Sequence, residues 1–299
     1  MDDKHYSRRD FLAMAGVGGL VFASSLPGCA STGASAGAGY GDFSFVQLTD
    51  IHWGYGNPKV NPDTRGTLTR ALAAVNALEQ KPDFVVFTGD LTQTTDDPKV
   101  RRQRLREFQD MSRSLNVPVR YFAGEHDASL DRGEAYLEVF GGALNYTFEH
   151  KGIHFIVLDN ISDPAPILGA KQVAWLKDDL AKQRADQPIV VLTHRPLFAM
   201  YPQWDWATRD GQQAIDLLMP FKNVTVFYGH VHHEHHFNTG HIQHHASKAV
   251  MFPLSPVGTM SNKTQLPWNA AKPYDGLGWR TVRATASGAA QQMREHNIG

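Results

Sequence analysis

A single cysteine, Cys29, stands among the 299 residues, so no intrachain disulfide can form and the chain cannot supply the thiolates of a structural zinc cage. Net charge is nearly absent too, since 29 basic and 30 acidic residues leave a formal charge of -1. Such a balance provides no global field to gather nucleic acid or an anionic membrane, and no nucleic-acid partner is expected. The uncharged apolar stretch over residues 11–26 is short for a bilayer span, and Gly16, Gly18 and Gly19 within it weaken a helix. No repeat recurs at solenoid periods. An H-E-x-x-H zinc-protease motif is also missing, because His233-Glu234 has Phe237 where the second histidine would stand.

What the N-terminus does have is Ser7-Arg8-Arg9-Asp10-Phe11-Leu12 ahead of that apolar stretch. A basic start followed by a short apolar region reads as an export signal over 1–28, and the paired arginines point to the twin-arginine route, with the periplasm or cell envelope as destination. Leu26-Pro27-Gly28-Cys29 resembles a lipoprotein cleavage box, in which Cys29 would carry a membrane lipid anchor. The alternative is ordinary cleavage after Ala34-Ser35-Ala36. Residues 29–42 are rich in Gly, Ala and Ser and read as a flexible linker.

Five short apolar runs, each ending in residues able to bind a metal, organise the body of the chain. The run over 45–49 leads into Asp50 and His52, and that over 84–88 into Gly89-Asp90. Residues 119–123 lead into Gly124-Glu125-His126-Asp127, 189–193 into His194, and 224–228 into Gly229-His230-Val231-His232. Runs of this length, rich in Val, Ile and Phe, predict buried strands. In an open α/β sheet the loops leaving the strand C-termini form the ligand-binding crevice.

Helical spacing of apolar residues predicts helices over 64–80, 98–114, 131–140, 171–184 and 209–219. Residues 146–149 and 153–158 read as a hairpin. Short strands are expected at 235–238, 241–245, 249–252 and 279–284, with a long loop over 253–276. Alternating strands and helices followed by a β-rich end predict one α/β domain over 43–285, and 286–299 reads as a polar tail, frayed beyond residue 287.

The order D-x-H, G-D, G-E-H-D, a lone His before Arg-Pro, and G-H-x-H resembles the calcineurin-like metallophosphoesterases across the motifs of residues 45–232. The resemblance implies a four-layer α/β/β/α sandwich and a two-metal centre that hydrolyses phosphate mono- or diesters through a metal-bridging hydroxide. It implies that Asp50, His52 and His232 bind one metal, that His194, His230 and Glu125 bind the other, and that Asp90 bridges them. His126 would be the catalytic acid or transition-state stabiliser and Asp127 would orient it through the other ring nitrogen. Imidazole and carboxylate ligands suit iron, manganese or zinc. The expected partner is a small phosphoester substrate.

Glu125 departs from the family's block, which has asparagine there. It adds a full negative charge and removes an N–H donor. With Asp50, Asp90, Glu125 and a bridging hydroxide, two divalent ions form a formally neutral centre, and a mixed pair with ferric iron would restore one positive charge. Eight of the fifteen histidines fall between His230 and His245, more than the pattern uses. The surplus reads either as strand histidines or as an extra metal site. Trp53 and Trp204 could stack on a substrate or simply pack within their loops, and Arg195 could hold a phosphate as a forked donor or pair with a carboxylate. A second functional reading, prompted by Glu125 and the spare histidines, is a cell-envelope metal-binding or redox-sensing protein with little hydrolysis.

Overall fold

The computed structural model describes residues 42–284 and 291–299. The export signal, Cys29 and residues 30–41 of the linker lie outside the described residues. One sheet has the order β11-β10-β1-β2-β3, with β1 (Phe43–Leu48), β2 (Phe84–Thr88) and β3 (Val119–Phe122) parallel, β10 (Gly278–Ala284) antiparallel to β1, and β11 (Gln291–Asn297) antiparallel to β10. The other joins β4 (Tyr146–His150), β5 (Ile153–Val157), β6 (Pro188–Leu192), β7 (Asn223–Tyr228), β8 (His235–Thr239) and β9 (Ile242–Ala246) in the order β4-β5-β6-β7-β9-β8. Here β5, β6, β7 and β9 are parallel, with β4 and β8 as antiparallel edges.

Side-chain alternation along the strands sets the layers. Phe45, Phe84 and Val86 from the first sheet pack against Phe155, Val190, Leu192 and Phe227 from the second. The opposite face of the first sheet presents Val46, Leu48, Val85 and Phe87 to Leu68, Leu72 and Val75 of α1 (Thr64–Asn76) and Leu105 and Phe108 of α2 (Pro98–Ser112). The second sheet turns Ile156, Ile189, Val191 and Val226 toward α5 (Gly169–Leu180) and α6 (Gly211–Leu218). Between α2 and α5 in sequence lie α3 (Glu125–Ala128) and α4 (Glu134–Phe140). The result is the α/β/β/α sandwich, with apolar residues on both faces of the central strands. Each fully buried large apolar side chain contributes roughly 1.5–3 kcal/mol.

Near the site the two sheets are tied by a polar contact. Gln47 of β1, fully buried, donates from Nε2 to Thr88 Oγ1 at 3.2 Å and to the Tyr228 carbonyl of β7 at 3.0 Å. No helix among the described residues is long and apolar enough to cross a membrane.

Two expectations are corrected. The C-terminal residues expected to fray form β11, paired residue by residue with β10. Its polar composition disguised it. The Arg280–Glu295 ion pair and the stacking of Trp279 on His296, with ring centroids 4.0 Å apart, hold it in place. The strand expected over 249–252 is irregular backbone. Val250 N–H and Met251 N–H bond to the Thr49 and Asp50 carbonyls at 3.0 and 3.2 Å, so this segment completes the exit of β1 instead of joining a ladder.

The surplus histidines lie on and beside β8 and β9, and among the described residues they form no cluster of metal-ligating side chains. His235 Nδ1 meets the Tyr228 hydroxyl at 2.8 Å, and His236 Nδ1 meets His245 Nδ1 at 2.7 Å. His244 is fully buried, with neither ring nitrogen hydrogen-bonded. Burial pushes His235 and His244 down to about 4. Since their folded pKa lies below the unfolded value, the unfolded chain binds more protons between about pH 6.5 and pH 4, and stability falls as pH drops through that window. Chemical denaturation of the metal-free protein across this range is expected to show a loss of order 1 kcal/mol per pH unit for each such histidine. His244→Phe should flatten the profile, and an unchanged slope would count against this assignment.

Candidate metal centre

Parallel register brings the C-terminal ends of β1, β2 and β3 to one edge of the first sheet, and those of β6 and β7 to one edge of the second. Asp50, His52, Asp90, His230 and His232 follow these ends with φ of 54°, 43°, 48°, 67° and 60°. Left-handed backbone at five non-glycine residues in one site is strained, and it re-aims each side chain as the strand stops. Cross-strand bonds hold the bends, with Asp50 N–H to the Gly89 carbonyl at 3.2 Å and His52 N–H to the Asp90 carbonyl at 2.9 Å. Gly124 is required by crowding, because a Cβ there would stand 2.1 Å from the Asp90 backbone nitrogen.

Asp90, Glu125, His194 and His230 form one group, and Asp50, His52 and His232 another. Within each, the ligand atoms lie within 4.8 Å of one another. Asp90 Oδ2 stands between them, 3.3 Å from His194 Nε2 and 3.6 Å from His52 Nε2. Its other oxygen accepts from His126 N–H at 2.9 Å. Asp50 Oδ1 is 3.3 Å from His232 Nε2, and both Asp50 oxygens accept from His230 N–H at 3.1 Å.

The histidines are set by their outer nitrogens. Backbone carbonyls only accept, so His194 Nδ1 donates to Thr88 at 2.8 Å, His232 Nδ1 to Phe252 at 2.6 Å and His230 Nε2 to Asp205 at 3.1 Å. In the neutral ring each inner nitrogen is then a lone pair facing the carboxylates, the arrangement that metal-binding histidines adopt. His194 Nε2 and Glu125 Oε2 approach to 2.8 Å without hydrogen-bond geometry, and both are buried without a hydrogen-bond partner. Converging lone pairs at this spacing fit two cations of the kind that imidazole and carboxylate hold.

Charge balance in the metal-free protein follows the same geometry. Burial works to raise Glu125, but His230, Arg195 and His194 hold it well below the usual carboxylate range. Burial likewise opposes ionisation of Asp50, which His232 and His194 keep lowered. His52 is pushed down to about 3 by burial and by His126, which leaves its ring neutral.

His126 and Asp127 separate in role. The Asp127 carboxylate does not reach His126. It accepts from Leu91 N–H and Gly124 N–H at 2.9 Å, from Thr92 N–H at 2.8 Å and from the Thr92 hydroxyl at 2.9 Å, locking the Asp90 loop to the Gly124 turn. The expected orienting contact is made by Thr94, whose backbone N–H and hydroxyl approach His126 Nδ1 at 3.3 and 2.5 Å. A backbone N–H is only a donor, so Nδ1 accepts and the neutral ring carries its proton on Nε2, 3.9 Å from Asp90 Oδ2. Sequence reading missed Thr94 because hydroxyls at +4 from a G-D pair carry no spacing signal.

Beside the two groups opens a cavity of about 470 Å³, to which His52, Asp90, Glu125, His126, His230 and His232 all contribute. Trp53 and Trp204 do not line it. Trp53 is buried in the α1–α2 core with Nε1 donating to Glu107 at 2.8 Å, and Trp204 packs against Trp206. Phe252 is the aromatic lining side chain. Arg195 does not line the cavity either. Its guanidinium pairs with Asp205 and lies 3.7 Å from Glu125 Oε1.

These assignments predict different outcomes for two adjacent residues. Asp127→Ala strands three buried backbone N–H groups and is expected to lower the stability of the metal-free protein by about 3 kcal/mol or more, whereas His126→Ala is expected to change it by less than about 1 kcal/mol. Denaturant titration in the presence of a chelator checks both values, and equal losses would contradict the division of roles.

Comparisons agree with this geometry. Residues 43–234 match the family model described as calcineurin-like phosphoesterase. The mouse serine/threonine-protein phosphatase CPPED1 is 28% identical over 180 residues, covering 53% of this chain and 57% of that protein. The match thus spans little more than half the length of this relative. The 3′,5′-cyclic adenosine monophosphate phosphodiesterase CpdA of Pseudomonas aeruginosa is 26% identical over 226 residues, covering 71% of this chain and 77% of that one. Among solved structures, a dimetal phosphatase from Danio rerio superposes with a TM-score of 0.57 at 14% identity, covering 84% of this chain and 98% of that one, which is a likeness of fold. With the family model spanning most of the described residues, and its motifs converging at the strand ends, the chain belongs to the calcineurin-like phosphoesterase family.

Proposed function

We propose that the protein is an exported, metal-dependent phosphoesterase that acts on small phosphate mono- or diesters in the periplasm or cell envelope. The observation that carries the catalytic part is the two ligand groups with Asp90 Oδ2 between them, 3.3 Å from His194 Nε2 and 3.6 Å from His52 Nε2, and His126 at their edge. Two cations held there would supply charge neutralisation of the phosphoryl oxygens and a nucleophile at neutral pH. Asp50, His52 and His232 would hold one, Glu125, His194 and His230 the other, and Asp90 both. His126 Nε2–H, held in that tautomer by Thr94, would protonate the leaving oxygen. The relatives named as a protein phosphatase and as a cyclic-nucleotide phosphodiesterase support phosphoester chemistry of either kind. Export rests on Arg8 and Arg9 ahead of the apolar stretch, and anchoring on Cys29.

The metals we propose are iron, manganese or zinc. Glu125 adds a negative charge, and Arg195 is placed to offset it, buried and 3.7 Å away. Arg195, itself paired with Asp205, would offset part of that charge, and iron spectroscopy on the purified enzyme checks for a mixed-valence pair including ferric iron. If the two side chains compensate, Glu125→Asn should weaken the second metal by about tenfold, and Arg195→Gln in that background should recover much of the loss. Calorimetric metal titration of both single variants and the double variant measures this coupling, and additive effects would refute it.

The catalytic reading is tested with aryl phosphate monoesters, aryl diesters and cyclic nucleotides, each with manganese, zinc and iron. Turnover with one class is expected, and His126→Ala should lower kcat by about 10²–10⁴-fold. Absence of turnover with every metal would favour the envelope metal-binding or redox-sensing protein instead.

A further inference from the structure

The long loop over 253–276 is irregular in secondary structure but ordered around the cavity. Leu254 bridges Gln265 as an isolated antiparallel pair, Ser255 N–H donates to the Thr264 carbonyl at 2.8 Å, and Leu266 N–H to that of Pro253 at 3.0 Å. Three bonds tie this strap to its surroundings. The Tyr55 hydroxyl donates to Gln265 Oε1 at 2.6 Å, Trp268 N–H to the Lys59 carbonyl at 2.8 Å, and Trp204 Nε1–H to the Ser261 carbonyl at 3.4 Å. Tyr55 and Trp204, from the segments after the first and fourth strand endings, therefore support the strap.

Held this way, the strap brings Leu254, Lys263, Thr264 and Gln265 to the cavity wall. Lys263 is the one lysine or arginine among the lining residues. Lys263 is exposed at the cavity mouth and its ammonium has no hydrogen bond or ion pair with any described residue, so it takes no part in balancing Asp50, Asp90 or Glu125. A cation on the wall of a substrate cavity, unspent on protein carboxylates, is available for an anion brought by the ligand. Val60, Phe252 and Leu254 give the same cavity an apolar wall. Its size suits a small organic molecule.

We propose that Lys263 is a specificity-determining residue, and that the preferred substrates are phosphoesters bearing a second anionic group, a carboxylate or another phosphate, on an organic body held against Phe252 and Leu254. This rests on the phosphoesterase reading above and adds the substrate class. Phosphoryl oxygens would be met at the ligand groups, the body by the apolar wall, and the remote anion by the Lys263 ammonium.

Three probes with a common ring test the idea: phenyl phosphate, 4-carboxyphenyl phosphate and 1,4-phenylene bisphosphate. Comparing Lys263→Ala with the unmodified, metal-loaded protein on each probe cancels their intrinsic reactivities. The expected result is a fall in kcat/KM about tenfold larger for the two doubly anionic probes than for phenyl phosphate. Lys263→Arg should retain most of the preference and Lys263→Glu should reverse it. A larger effect on one of the two probes identifies the second anion as carboxylate or phosphate. Equal effects of Lys263→Ala on all three would overturn the proposal while leaving the phosphoesterase reading intact. If the unmodified protein hydrolyses none of the three, that reading fails for aryl monoesters. Calorimetric binding of the same probes to both proteins then decides the role of Lys263 separately, by the presence or absence of the same tenfold difference.

Discussion

Three carboxylates, those of Asp50, Asp90 and Glu125, converge where the two sheets end, and their mutual repulsion in a buried setting is the constraint on which the rest of the site depends. Ionised groups so close together and so far from water are stable only if cations or converging donors answer them. His230 N–H serves Asp50, His126 N–H serves Asp90, and Arg195 stands near Glu125. In the metal-free protein the histidines supply the rest, with Asp90 and Glu125 raising His194, against its burial, well above its ordinary value, and bound cations would take over that role while freeing the ring lone pairs as ligands.

Fixing those lone pairs accounts for features that are otherwise unrelated. The irregular segment around residues 249–252 delivers the Phe252 carbonyl that sets the His232 tautomer. The end of β2 delivers the Thr88 carbonyl for His194. The turn at Asp205 serves His230 by its carbonyl and Arg195 by its carboxylate, so one residue positions both His230 and the arginine beside Glu125. Asp127, far from being a partner of His126, holds the Asp90 loop and the Glu125 helix at fixed separation. The left-handed backbone at five of these positions is the strain that such convergence demands.

Much of this was legible in the sequence, and for a physical reason. Strands buried on both faces must be runs of large apolar residues, so a polar residue that ends such a run stands out, as Asp50, Asp90, His194 and His230 do. The sandwich could be anticipated because alternating strands and helices leave few ways to layer. Contacts made by loops were not legible. Thr94 at His126, Phe252 at His232 and Lys263 on the cavity wall depend on backbone trajectories that carry no period. The edge strand β11 escaped because it is polar and its ladder partner is its only local signal. For Trp53 and Trp204 the sequence allows either stacking on a substrate or loop packing, and burial of both decides for packing.

In the proposed centre Asp90 would be shared by two cations. The most direct test is anomalous diffraction from crystals of the full chain loaded with manganese or zinc. Two peaks are predicted, one bonded to Asp50, His52 and His232, the other to Glu125, His194 and His230, with Asp90 reaching both. A single peak, or ions bound away from these residues, would contradict it.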